Sequence, residues 1–211
     1  WRYIYDHATF SSWWSHADEH AVREQIWSRI EPGEVVLDIG AAYGSYILPA
    51  LARGAAHVYA WCPETDQAEM LLRSLDANGW RGRCTIIQAG LYSRNGWYRE
   101  GWHPRFYDGG RIPPEAFPVT TMDAITDAYL QPNRLDWVKL DVEGAEVHVL
   151  EGGRASLERF HPRILVENHI QYEPDIKDRV GDVLRPLGYR EVGTLQFYSD
   201  GVSHTLWEAT A

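Results

Sequence analysis

Val35-Val36-Leu37-Asp38-Ile39-Gly40-Ala41-Ala42-Tyr43-Gly44 decides how the rest of this 211-residue chain is read. An apolar run interrupted by one acid and closed by glycine reads as a buried parallel strand. The small residues after it permit a tight turn and a close approach of ligand to backbone. Tyr46-Ile47-Leu48-Pro49-Ala50-Leu51 then reads as a helix over about 44–53, with Pro49 early enough to be tolerated. A helix N-terminus offers unpaired N–H groups and partial positive charge. The stretch is therefore a strand–turn–helix suited to a polar ligand, with a carboxylate near the helix start.

The glycine spacing excludes the dinucleotide fingerprint G-x-G-x-x-G, because Gly40 and Gly44 are separated by Ala41, Ala42 and Tyr43. The pattern D-x-G-x-x-x-G resembles the first motif of Rossmann-like S-adenosylmethionine (SAM) methyltransferases.

A chain of this length defaults to a single domain, residues 1–211, and 45% hydrophobic residues suffice for its core. The net charge of −10 and the lack of any Lys/Arg run argue against a nucleic-acid partner. No apolar stretch reaches membrane-spanning length, and none reads as a signal peptide. A cytoplasmic location is the expectation. Cys62 and Cys84 fall at opposite ends of neighbouring strands, about 15 Å apart, so no disulfide is expected. The aromatics Trp1, Tyr3, Tyr5, Phe10, Trp13 and Trp14 make residues 1–33 a cap segment: a lid, a substrate wall, a contact in a homodimer, or plain packing.

Strands and helices alternate along the chain. Val22, Ile26, Trp27 and Ile30 recur at helical spacing, ending at Glu31-Pro32-Gly33. His57–Trp61 is a second strand, and Ala68, Leu71, Leu72 and Leu75 lie on one face of the helix after it. Cys84–Gln88 is a third strand. Residues 89–118 read as an insertion: a hairpin of Leu91-Tyr92 and Trp97-Tyr98 about an Asn95-Gly96 turn, then an irregular loop. Leu135–Asp141 and Arg163–Glu167 are the fourth and fifth strands, with a helix starting at Ala145 and broken by Gly152-Gly153. A helix over about 175–186 precedes a final antiparallel pair, Tyr189–Val192 and Thr205–Trp207. The expected architecture is α/β, a mostly parallel seven-stranded sheet with an antiparallel final strand and helices on both faces.

Ligands of open α/β sheets lie beyond the carboxyl ends of the strands. Those ends carry Asp38–Gly44, Cys62-Pro63-Glu64, Gln88, Asp141-Val142-Glu143 and Glu167-Asn168-His169, more polar groups than a core requires. Helix capping is the alternative use for each. Asp38–Gly44, Tyr59-Ala60-Trp61-Cys62-Pro63, Val119-Thr120-Thr121-Met122-Asp123, the block Val138-Lys139-Leu140-Asp141-Val142-Glu143-Gly144-Ala145-Glu146 and Pro162-Arg163-Ile164-Leu165-Val166-Glu167 resemble the FkbM family of SAM-dependent methyltransferases from about residue 34 to 170.

The resemblance implies a class I methyltransferase fold, SAM as methyl donor, and O-methylation of a small-molecule hydroxyl on a sugar, polyketide or other natural product. N- or carboxyl-methylation and a catalytically silent SAM-fold binding module are the alternatives. Asp38, Gly40, Ala41, Ala42, Tyr43, Gly44, Cys62, Pro63, Glu64, Gln88 and Asp141 become the candidate cofactor residues. Two positions depart from the family pattern. Ala42 stands where Asn is common, and Cys62 where a ribose-holding Glu is common. A thiol is a weak partner for ribose hydroxyls, so the expectation is a loss of one or two charge-assisted bonds, about 1.5–3 kcal/mol each, unless Glu64 substitutes. Asp141 and His169 are the candidate bases, with Glu143 beside them and His16 and His20 able to close over the site. A set Asp141, Glu167 and Asn168 would suit Mg²⁺, although the resemblance does not require a metal. Residues 89–118 and the aromatic N-terminus are expected to line the acceptor pocket.

Overall fold

The computed structural model describes residues 24–99, 105–130, 134–196 and 202–210. The N-terminal aromatics, His16 and His20 lie outside these residues. Seven strands form one mostly parallel sheet, and four more form a second, smaller sheet. The chain divides into two compact units, residues 1–88 and 89–211.

In the first unit, β1 (Val35–Ile39) pairs in parallel with β2 (His57–Trp61), Val35 opposite His57 and Ile39 opposite Trp61. β2 pairs in parallel with β3 (Cys84–Ile87). All five residues of β1 are buried, four of them apolar and the fifth Asp38. Helix α1 (Ile47–Ala52) joins β1 to β2, and α2 (Thr65–Ala77) joins β2 to β3. Ala68, Leu71 and Leu75 are the buried stripe of α2. It ends at Asn78, whose Nδ2 donates to the Ser74 carbonyl, and Gly79 at φ +70°. Arg83 donates from Nη2 to the carbonyls of Leu51 and Ala55, satisfying the end of α1. Cys62 and Cys84 are both free. Val58 lies opposite Cys84, and Cys62 is four residues further along β2, so about 13 Å separates them.

The second unit opens with a region that the sequence misassigns. β4 (Gly90–Leu91) does not pair with β5 (Gly96–Arg99). Both flank β7 (Phe117–Thr120), β4 in parallel and β5 antiparallel, while β6 (Arg105–Tyr107) pairs with the outer edge of β5. The expected hairpin and loop are thus a four-stranded sheet, order β4-β7-β5-β6. Gly90 permits the close packing of β4 on β7: a Cβ there would lie 2.6 Å from the Phe117 ring and 2.9 Å from Val119.

Thr121 caps α3 (Met122–Tyr129), its Oγ1 accepting from the Ala124 N–H. Asp123 is committed to structure as well. Its Oδ1 accepts from the Ser156 N–H at 2.8 Å, which caps α5 (Arg154–Phe160). β8 (Trp137–Leu140) is buried throughout and pairs in parallel with β9 (Arg163–His169). Between them lie α4 (Glu146–Glu151) and α5, separated by the expected Gly152-Gly153 break. Helix α6 (Ile176–Leu184) leads to β10 (Tyr189–Gln196) and β11 (Val202–Ala209). The order β10-β11-β9-β8 makes β11 antiparallel to both neighbours, as expected of the final strand. β9 is two residues longer than its sequence suggests, because β11 continues the ladder to Ser203↔Asn168 and Val202↔His169. No helix among the described residues is long and apolar enough to cross a membrane.

Candidate functional site

The loop after β1 is built on left-handed backbone. Gly40 (φ +85°), Ala42 (φ +42°) and Gly44 (φ +85°) alternate through it. Glycine is required at 44, where a Cβ would lie 2.5 Å from Leu71 Cδ1 on α2. Ala42 holds its conformation at a cost, since left-handed backbone is about 1–2 kcal/mol unfavourable for an L-residue with a Cβ. The N–H groups of Gly40 and Ala41 both donate to the Trp61 carbonyl, at 3.1 and 3.0 Å, which fastens the loop to the end of β2. Asp38 lies at the floor, only 1% exposed. Helix α1 begins at Ile47 rather than at Gly44, so its free N–H groups are set back from the glycines.

Cys62 is fully buried. Its Sγ faces the Ala42 carbonyl at 3.7 Å, the Glu64 carbonyl at 3.6 Å and Gln67 Oε1 at 3.8 Å. Burial pushes its thiol up to about 12, assisted by Asp38, Glu64 and Asp66 against the bond to the Glu64 backbone. The side chain ties the loop after β1 to the start of α2 instead of facing a ligand. Glu64 is exposed at the α2 N-cap and Pro63 is half-buried. Exposed Gln88 approaches Thr65 Oγ1 with its Nε2 at 3.4 Å. A cavity of about 640 Å³ runs along α2 and β3, lined by Leu72, Arg81, Cys84 and, of the expected site residues, Gln88.

The second unit holds the acid and histidine residues. Lys139 points the same way as Asp141, two residues on, and its Nζ meets Asp141 Oδ2 at 3.0 Å. Burial alone would raise the Asp141 carboxyl; Lys139, His169 and His204 outweigh it and hold the group low. The chain then turns sharply through Glu143 (φ +52°) and Gly144 (φ +95°), where a Cβ on Gly144 would stand 3.1 Å from Tyr172 Cβ. Glu146, fully buried at the first position of α4, closes this turn. Its Oε1 accepts from the N–H groups of Val142 (3.4 Å) and Gly144 (3.2 Å) and faces His169 Nδ1 at 2.7 Å.

His169 is the centre of the cluster. Its side chain is 3% exposed, and its Nε2 faces Asp141 Oδ1 at 3.6 Å, Glu143 Oε2 at 3.6 Å and Glu167 Oε1 at 3.9 Å. Burial opposes a charged ring, but the bond to Glu146 and the charges of Glu146, Asp141 and Glu143 push the imidazole up to about 9. His169 therefore carries its proton at neutral pH in this arrangement, which conflicts with the expected role as base. Glu143 is the opposite case. Its carboxyl is raised by burial, with Asp141 and Glu167 adding to the effect against His169 and Tyr172, and its side chain is 47% exposed. Glu167 also meets His204 Nε2 at 3.0 Å through Oε2.

Asn168 does not join this cluster. On a strand, alternate residues face opposite sides. Glu167 and His169 share one side, and fully buried Asn168 takes the other, donating to the Ser203 carbonyl at 2.9 Å and Thr205 Oγ1 at 3.1 Å. The set able to hold a metal ion among the described residues is Asp141, Glu167 and His169. Glu146 and His204 are the residues that sequence reasoning missed. An acid at the first position of a helix reads as a favourable charge at its N-terminus, and nothing local marks His204.

The second sheet abuts the turn after β8. Tyr92, Tyr98, Val119 and Ala145 form a buried cluster with Val142 packed against it. Tyr92 stacks on Phe106 at 4.9 Å and lies 4.4 Å from the His148 ring. Tyr92 and Tyr98 are thus spent on packing. Trp97, 41% exposed, remains open for other contacts.

The Methyltransferase FkbM domain model matches residues 38–191, a span that contains both groups of residues. The chain belongs to the FkbM methyltransferase family. Among solved structures, methyltransferase FkbM from Methylobacillus flagellatus KT is similar, with TM-score 0.65 and 19% identity over 85% of this chain. The chain spans 44% of that protein. Precorrin-6y C5,15-methyltransferase from Geobacter metallireducens GS-15 shares the fold at TM-score 0.56 and 14% identity, covering 90% of this chain and 88% of its own. These likenesses show a class I methyltransferase fold. No curated protein sequence matches significantly.

Proposed function

We propose that this chain transfers the methyl group of SAM to a hydroxyl of a small molecule, in the cytoplasm and without nucleic-acid or membrane partners. The observation carrying this reading is the family match across both the Asp38–Gly44 loop and the Asp141–Glu146 turn. The left-handed loop over buried Asp38 fits the amino-acid end of SAM. The ribose end fits less well, since Cys62 is turned inward; exposed Glu64 would have to meet the hydroxyls. Gln88 would face the base. When bound, the sulfonium supplies an activated methyl group.

Methyl transfer is an in-line displacement, so much of the catalysis is placement of the acceptor. The acceptor hydroxyl must also lose its proton. Glu143 is the group that receives it, being half exposed, with a raised carboxyl and a turn held by Glu146. Asp141, paired to Lys139, and protonated His169 orient the acceptor and balance charge.

Calorimetry with SAM and S-adenosylhomocysteine, followed by labelled-methyl transfer to a panel of alcohols, amines and acids, tests the reading. Transfer to alcohols is expected, and Glu143→Gln should lower kcat by about 10²–10⁴-fold with SAM affinity unchanged. Heat with neither ligand would leave a silent binding module. Transfer only to amines or carboxylates would refute the hydroxyl assignment.

A further inference from the structure

We propose that Asp141, Glu167 and His169 form a site for one divalent transition-metal ion. One carboxylate oxygen from each acid and one ring nitrogen of His169 lie within 4.8 Å of one another. Ligands about 2.1 Å from a common ion stand about 3.0 Å apart at right angles and 4.2 Å apart when opposed. Side-chain shifts of about 1 Å or less therefore close the set.

The independent sign of a ligand is the imidazole itself. His169 is 97% buried by its 3% side-chain exposure, and Nε2 points into the cluster with three carboxylate oxygens at 3.6, 3.6 and 3.9 Å. These distances are too long for N–H···O bonds and suit an ion between nitrogen and oxygens. On the far side of the ring, Glu146 Oε1 takes the Nδ1–H at 2.7 Å. That contact leaves Nε2 as the nitrogen facing the acids, and an ion there would take the place of its proton, the carboxylate–histidine–metal arrangement. His204 Nε2 stands 3.0 Å from Glu167 Oε2, on the second acid of the set. Charge agrees. Asp141, Glu143, Glu146 and Glu167 crowd one region, and the lysine in it is Lys139.

The donor set also selects the ion. An imidazole ligand favours manganese, iron, cobalt or zinc over magnesium and calcium. The oxygen set of Asp141, Glu167 and Asn168 is not assembled, because Asn168 is bonded to β11 on the other side of the strand. Such an ion would lower the pKa of an oxygen acceptor and leave Glu143 free to take the proton.

The inference rests on the second unit alone and is tested apart from methyl transfer. The full chain, stripped with EDTA and desalted, is titrated with Co²⁺ by visible absorption and Mn²⁺ by electron paramagnetic resonance, with Mg²⁺ as competitor. One equivalent of Co²⁺ should bind, with millimolar Mg²⁺ failing to displace it. His169→Gln and Glu167→Gln should each weaken binding at least tenfold, and Glu146→Gln, which is not a ligand, about 10–100-fold. Circular dichroism melting establishes that each variant is folded; where one is not, the remaining two decide. No saturable binding below about 1 mM, or equal binding in all folded variants, overturns the proposal. SAM calorimetry on the same samples separates the two readings. Cobalt without SAM refutes the methyl-transfer reading, and SAM without cobalt refutes the metal site.

Discussion

Replacing Glu146 by alanine should cost more stability than any other single change in the turn after β8. The side chain is fully buried, and one oxygen serves three donors: Val142 N–H, Gly144 N–H and His169 Nδ1. Each backbone donor left unsatisfied costs about 1 kcal/mol, at the low end of the range because both bonds are long. Loss of the charge-assisted bond to His169 adds about 1.5–3 kcal/mol. Part is returned, because the carboxylate no longer has to be held away from water. The net expectation is about 3–5 kcal/mol for Glu146→Ala. Glu146→Gln keeps a carbonyl for the two N–H groups and loses the charged contact, so about 1–2 kcal/mol is expected. The assay is urea denaturation at pH 7 in EDTA, followed by tryptophan fluorescence, which buried Trp137 and Trp207 report. Equal losses for both variants, or less than about 1 kcal/mol for alanine, would refute the assignment of Glu146 as the hub.

Ala42→Asn should raise stability by about 0.5–1 kcal/mol in the same assay, because Asn adopts left-handed backbone more readily than Ala; a loss would mean that the loop relaxes around alanine without strain. Gly152→Ala should destabilise by about 2 kcal/mol or more, since the new methyl would sit 2.2 Å from the Tyr92 carbonyl oxygen, a backbone atom that cannot swing aside. Cys62 and Cys84, both with thiols pushed up to about 12 chiefly by burial, should react with iodoacetamide at pH 8.5 at least about 10³-fold more slowly than a free thiol. Thiolate is present only as pH rises toward that value, so the folded rate should climb about tenfold per pH unit, whereas urea should expose both thiols at once; mass spectrometry reads both.

The sheet was legible because its signals are local. The apolar runs of β1 and β2 and the stripe of α2 are read directly from residue spacing, and Gly152-Gly153 marks the helix break. The second sheet was not, since β4 finds its partner β7 nearly thirty residues away, and the Asn95-Gly96 turn suggests a nearer one. Half the site was readable too. Asp141, Glu143 and His169 do come together. The choice of Asn168 over His169 as a ligand ignored strand alternation, a signal present in the sequence once β9 is extended by two residues. That extension is set by β11, more than thirty residues on, which no local pattern reveals. Glu146 stood in plain view within the most distinctive block, but its role depends on a backbone turn with left-handed Glu143 and Gly144.

The ladder between β9 and β11 fixes which way Glu167 and His169 look, and β11 itself delivers His204. During synthesis on the ribosome, every earlier piece of the cluster emerges before the strand that sets its register. A nascent chain interrupted before Val202 would carry the acids and the histidine without the rail that aligns them, so the cluster takes its final arrangement only once residues 202–209 have left the exit tunnel and annealed.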